Sequence, residues 1–278
     1  HMKTKKRILV APLDWGIGHA TRCIPIIKAL ISHNFEVVIA ADGRPLHLLK
    51  TEFPGLEFIR FKGYNIRYSN YLPMSINILL QSPKLLWNIK NENRTLINII
   101  KDYRINGVIS DSRFGLYTKE VPCAFITHQL KIQSPFLTKR LQRLNYKYIN
   151  KFNVCWIMDD TENNLGGNLS KPNILPNNTI YIGGQSRFTH QNIEKRYDFL
   201  GLVSGPEPQR TILEKGLIES LKKRKERSLI ILGKPELNTT DKIGNLDIRS
   251  HLNSKDLNRA ILESKLIIGR PGYSTIMD

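Results

Sequence analysis

Apolar residues recur along this chain in short runs, separated by stretches with helical spacing. Seven such runs, Ile8–Leu13, Glu36–Ala41, Glu57–Phe61, Gly107–Asp111, Cys123–Thr127, Val154–Met158 and Thr179–Ile182, are rich in β-branched side chains and bounded by polar or glycine-containing segments. Those features predict strands. Amphipathic helical stretches alternate with them, and a strand–helix–strand rhythm implies a parallel sheet, because parallel neighbours need a crossover between them. Polarity rises over Gly183–Arg196, which predicts a linker. A second set follows, with strands at Phe199–Val203, Leu229–Leu232, Asp247–Arg249 and Leu266–Ile268 and helices at about Gln209–Lys223 and Lys255–Lys265. The expectation is an α/β protein of two domains, 1–185 and 186–278, each long enough to bury a core. Residues Tyr273–Asp278 predict only the first turn of a helix leaving the last strand. A domain rarely stops there, so the second one is expected to be truncated, with a further segment in the full protein.

The break in the first run is its most telling part. In RILVAPLDWGIGHATRCIPII, Arg7–Ile27, the pattern gives strand, tight loop and helix start, with Gly16 and Gly18 in the loop. A helix start presents unpaired N–H groups and a partial positive charge, and glycines let a ligand approach the backbone, so anionic ligands suit it. The same grammar recurs at Phe199–Gly205 before Gln209-Arg210, and at Leu266–Thr275.

His19 in the first loop is a candidate general base, because the positive helix end favours the neutral imidazole and its lone pair. Asp111 is the fallback. Ser110–Arg113 puts a carboxylate and a guanidinium at a strand end, where ligands of open α/β sheets gather, and His128 and Gln129 follow the next strand. Asp111, Arg113, His128 and Gln129 are therefore candidate wall residues, with a structural Asp111–Arg113 network as the alternative. In the second half, Ser204, Gly205, Gln209 and Arg210 surround one strand-to-helix turn, and Arg270, Gly272, Ser274 and Thr275 another. Amides, hydroxyls and an Arg fork neutralise a diphosphate without a metal. Gly16-x-Gly18-x-x-Thr21, with Asp42 after the second strand, is a near miss of the dinucleotide fingerprint, so a dinucleotide-dependent oxidoreductase stands as the alternative. Neither a Walker pattern nor zinc-ligand spacing occurs.

Charge narrows the partners. Lys and Arg total 42 against 24 Asp and Glu, a net +18 that favours nucleotide phosphates, nucleic acid or acidic lipid. The charge is spread along the chain and no reading module for nucleic acid is present, so a nucleic-acid partner is not expected. From Lys131 to Lys151 there are six basic residues and no acid, with Leu137, Leu141, Leu144 and Tyr148 on one helical stripe and Lys139, Arg143 and Lys147 on another. Tyr64–Arg104 interleaves Tyr, Leu and Trp87 with Arg67, Lys84, Lys90 and Arg94. Each reads either as a solvated basic face over a core or as a surface for peripheral contact with an anionic membrane. No apolar segment approaches the roughly 20 residues that span a bilayer. Three widely spaced cysteines, Cys23, Cys123 and Cys155, form no pairing pattern and point to a reducing, cytoplasmic compartment.

Taken in order, GxGHxxR after the first strand, the SGPxPQRT-like turn and GRPGYST near the end resemble the GT-B glycosyltransferases, more narrowly the family of the peptidoglycan N-acetylglucosaminyltransferase and the plant galactolipid synthases. That resemblance implies two Rossmann-like domains facing across a cleft. It also implies a hexosyltransferase that moves a sugar from a nucleotide sugar, usually UDP-linked, to a cell-envelope or lipid-linked hydroxyl, with inversion and without metal or other cofactor. Carried over by motif, the acceptor meets the loop of Gly16, Gly18, Thr21 and Arg22, with His19 facing the reacting sugar. Arg187 reaches the nucleotide, Ser204 and Gly205 form the nucleotide-facing turn, and the Leu252–Asn253 backbone recognises the base. Arg270 and Gly272, Tyr273, Ser274 and Thr275 match the diphosphate loop. Asp278 stands where the family has a Glu for the ribose hydroxyls, one methylene shorter, and the sugar-recognising Gln motif would lie beyond it. Such an enzyme is expected at the inner face of the membrane.

Overall fold

The computed structural model describes residues 5–63, 82–131, 138–162, 167–205 and 207–278. They form two compact units, one made of the chain up to Leu13 with Ile27–Ala41 and Glu57–Gly184, the other of Asp14–Ile26, Asp42–Leu56 and Gln185–Asp278.

The first unit is built on seven strands: β1 (Arg7–Pro12), β2 (Glu36–Ala41), β3 (Glu57–Arg60), β4 (Gly107–Asp111), β5 (Cys123–Thr127), β6 (Val154–Ile157) and β7 (Thr179–Tyr181). Their order is β3-β2-β1-β4-β5-β6-β7, every neighbouring pair parallel. All seven expected strands are present, each bound within a residue of its expected place. β4 and β5 are buried along their whole length, as expected for parallel strands covered on both faces. Helix α1 (Ile17–Ser32) follows β1, α2 (Gly43–Glu52) follows β2, and α3 (Ser82–Asp102) precedes β4. Leu96, Ile99 and Ile100 of α3 enter one cluster with Leu9, Val38, Val108 and Phe125, and Phe125 stacks on Phe114 with centroids 5.1 Å apart. Helix α4 (Thr138–Ile149) leads into β6, with Lys139, Arg143 and Lys147 exposed as the stripe predicted. Leu137, Arg67 and the tyrosines between 64 and 81 lie outside the described residues.

The second sheet contains β8 (Tyr197–Leu202), β9 (Ser228–Ile231), β10 (Thr240–Ile243), β11 (Leu246–Arg249) and β12 (Ser264–Gly269), in the order β10-β11-β9-β8-β12. Four of these were legible. β10 was not, because its residues TDKI are exposed throughout and offer no apolar run, and it pairs antiparallel with β11 through a turn where Gly244 takes φ 58°. Helices α5 (Gln209–Leu221), α6 (Ser254–Leu262) and α7 (Tyr273–Met277) complete the unit. β12 begins earlier than expected, at Ser264, because that residue pairs with Tyr197 of β8 while its hydroxyl donates to the Ala260 carbonyl.

Candidate functional site

In the second sheet the strand order reverses between β8 and β12, and ligands of open α/β sheets bind beyond the carboxyl ends of the strands at such a reversal. Here those ends carry Ser204-Gly205 and Arg270. Gly205 takes φ 105°, a backbone region open to glycine, and a Cβ built on it would lie 2.6 Å from Nη1 of Arg270. The missing side chain thus makes room for the guanidinium. That same Nη1 is buried and has no hydrogen-bond partner among the described residues. A buried cationic donor without an acceptor is costly, and an anionic oxygen would relieve it. Next along the chain, the Gly272 N–H donates to the Arg270 carbonyl at 2.8 Å, and Gly272 caps α7. Tyr273 and Thr275 lie in that short helix, half-buried.

The GIGH loop belongs to the same compact unit. Ser274 Oγ donates to the Gly18 carbonyl at 3.0 Å, and Thr21 Oγ1 donates to it at 2.9 Å. Gly16 takes φ 125° to turn the chain from β1 into α1. Within α1, Nη2 of the buried Arg22 lies 2.9 Å from Nδ1 of His19.

Arg187 and Asp278 meet. Arg187 Nε donates to Asp278 Oδ2 at 3.0 Å and the Arg187 N–H to Oδ1 at 3.3 Å, while burial raises the Asp278 carboxyl above its ordinary range against the pull of Arg187. Asn253 caps α6, its Oδ1 accepting from the Asp256 N–H at 2.8 Å, and Leu252 packs against the β8–β9 core.

Three expected contacts turn out differently. Arg113, read as an acceptor-binding residue, is fully buried in the first unit. Its Nε donates to Glu92 Oε1 at 2.8 Å, Nη1 to the Phe61 carbonyl at 3.2 Å and Nη2 to the Lys62 carbonyl at 2.7 Å, with the guanidinium 4.2 Å over the Phe61 ring. It clamps the end of β3 to α3. The alternative network with Asp111 is not what holds it. Arg210 is likewise buried and committed, to Glu207 Oε1 at 2.7 Å, Glu214 Oε2 at 2.7 Å and the Leu232 carbonyl at 2.8 Å, so it shapes the turn after β8 and leaves the anion to Arg270. Asp111 is also fully buried and accepts from Ser112 Oγ at 3.2 Å. Elsewhere at these strand ends, Gln129 is exposed, its N–H bonded to Thr127 Oγ1 at 3.0 Å, His128 is half-buried, and Gln209 is exposed at the start of α5.

His251 was missed. It follows β11, its Nε2 is buried with no hydrogen-bond partner among the described residues, and burial, then the charge of Arg187, push its imidazole below 6.5, against Glu52 and Glu236. No sequence motif marks it; only a His just before the helix-capping Asn253 could have drawn notice. The three cysteines are buried and free, and burial pushes Cys123 up to about 11 and Cys155 to about 12, which keeps these two as inert thiols.

A family profile described as glycosyl transferase family 1 matches residues 6–158, more than half of the chain. The chain belongs to this family. As a glycosyltransferase it also has many structural neighbours. SnogD from Streptomyces nogalater is 14% identical with a TM-score of 0.55, covering 99% of this chain and 79% of its own. A UDP-glucosyltransferase from Polygonum tinctorium is 9% identical with a TM-score of 0.58, covering 100% and 78%. An Arabidopsis thaliana protein complexed with UDP-L-rhamnose is 10% identical with a TM-score of 0.57, covering 99% and 76%. At such identities the likeness shows the fold, GT-B, as the resemblance implied. No curated protein sequence matches the chain. The oxidoreductase alternative is left without support, and Asp42 stands at the N-terminus of α2.

Proposed function

We propose that this glycosyltransferase moves a sugar from a UDP-linked donor to a hydroxyl of a lipid-linked or cell-envelope acceptor, with inversion and without a metal. The buried, unpartnered Nη1 of Arg270 beside Gly205 carries the reading, because a cation at the reversal of the second sheet suits a diphosphate. As the acceptor oxygen attacks the anomeric carbon, the bond to the diphosphate breaks and its electron pair leaves with the phosphate oxygen. Arg270 would neutralise that growing charge. Arg187, Asp278, Ser204 and the Leu252–Asn253 backbone are the remaining candidates for the nucleotide. UDP as carrier accords with structural neighbours named for UDP-glucose transfer and for a UDP-L-rhamnose complex. Among the described residues no helix is long and apolar enough to cross a membrane, and the proposal places the protein peripherally at the cytoplasmic face.

Calorimetric titration with UDP tests it. Arg270→Met should weaken binding by about 10-fold or more, the worth of a charge-assisted hydrogen bond. Gly205→Val, which drives a side chain into the guanidinium, should do the same. Equal UDP affinity in all three proteins would overturn the reading.

A further inference from the structure

His19 and Arg22 lie three residues apart on α1, so the helix itself stacks one side chain on the other. Arg22 Nη2 lies 2.9 Å from His19 Nδ1. A guanidinium only donates, so Nδ1 must accept and be bare. A neutral imidazole with a bare Nδ1 carries its hydrogen on Nε2. The other tautomer would set an N–H against an N–H.

This bears on the chemistry. A His that takes a proton through Nε2 needs its hydrogen on Nδ1, held there by a carbonyl or carboxylate acceptor. Here a buried donor, Arg22, meets that nitrogen. We propose that Arg22 fixes His19 as the Nε2–H tautomer and that His19 serves the transfer as a hydrogen-bond donor to an oxygen of the nucleotide sugar, not as the base. Arg22 is then a positioning residue. The place is apt for that oxygen, because the carbonyl of the preceding Gly18 is bonded to Ser274 in the loop that carries Arg270. No proton leaves His19 in this role; the acceptor's proton passes to a base other than His19.

The donor role rests on the transferase reading, whereas the tautomer does not. Long-range proton–nitrogen correlation spectra of the 15N-labelled protein near neutral pH should show His19 with a bare Nδ1 and a protonated Nε2, and Arg22→Met should shift the ring toward a mixture. A protonated Nδ1, or a ring indifferent to Arg22→Met, overturns the proposal. The activity arm compares His19→Gln, whose amide can still donate but has no basic lone pair, with His19→Phe, using UDP release from UDP-glucose and UDP-N-acetylglucosamine. Gln should stay within about 10-fold of the parent kcat, and Phe should lose about 10²-fold or more, the usual cost of removing one such donor. Arg22→Lys should recover part of the loss in Arg22→Met. Two equally inactive, folded His19 variants would overturn the donor role. A parent protein that transfers from neither sugar and binds no UDP removes the transferase reading and the donor role with it, and the spectra still decide the tautomer.

Discussion

A guanidinium with no exposed surface survives only when its N–H groups are met, and Arg113 meets that demand with one carboxylate and two carbonyls. Removing the carboxylate should hurt more than removing the pair. Glu92→Leu leaves a buried charge uncompensated and should cost about 3–5 kcal/mol in urea unfolding, whereas Glu92→Leu with Arg113→Met should cost less. A single variant as stable as the parent would show that the clamp does not support the fold. His251 gives a pH-dependent counterpart. Its pKa is lowered in the folded state, so the neutral ring contributes stability that is present above about 6.5 and lost as pH falls below it, because the unfolded chain binds the proton more readily. His251→Phe should flatten the fall in urea midpoint between about pH 7 and pH 5, and an unchanged slope would exclude His251 as its source.

At the scale of elements, the turn from β8 into α5 is held by charges. Arg210 bridges Glu207 and Glu214, and Lys234 reaches Glu214 at 2.9 Å, so a segment whose Gln209-Arg210 looked ligand-directed is braced from within. The hydrogen bond from Arg210 holds Glu207 at about 2. A lowered carboxylate pKa contributes stability that is present above the unfolded value of 4.5 and disappears as pH falls toward 2. Glu207 is half exposed, so solvent screening keeps the effect modest. Acid titration of thermal unfolding should show a shallower loss below about pH 4.5 in Glu207→Gln than in the parent. The contrast explains what could be read in advance. Buried parallel strands announce themselves as apolar runs, and Gly205 and Gly16 announce turns, so both sheets and the three glycine-bearing loops were legible. Whether Arg113 points at a ligand or at its own backbone depends on partners distant in sequence, as Glu92 is, and no local pattern carries that information, whereas the acids that hold Arg210 stand three and four residues from it. β10 escaped for a related reason: an exposed edge strand has no hydrophobic face to betray it.

For the molecule as a whole, part of the net charge of +18 lies beside exposed apolar side chains in the first unit. Helix α4 exposes Lys139, Arg140, Arg143 and Lys147, and α3 exposes Lys84, Lys90 and Arg94. Leu85 and Ile89 of α3 share a small cluster with Tyr148 of α4, so the start of one helix and the end of the other are neighbours. Apolar side chains stand out beside these charges: Trp87 is 65% exposed, Leu86 42% and Leu144 38%. Solvated basic helices do not need an exposed tryptophan, whereas a headgroup region accepts its amphipathic ring and rewards nearby Lys and Arg by about 1 kcal/mol each. Sedimentation with vesicles of phosphatidylglycerol and phosphatidylcholine should therefore capture the protein at low salt and release it as ionic strength shortens the Debye length to about 8 Å near 0.15 M. Vesicles of phosphatidylcholine alone should not capture it. Trp87→Ser should weaken capture even with every charge retained, and Lys139→Gln with Arg143→Gln should weaken it further and reduce the salt dependence. Capture that ignores Trp87 would mark the surface as a general polycation, and no capture at low salt would separate the transferase from any bilayer and move its acceptor into solution.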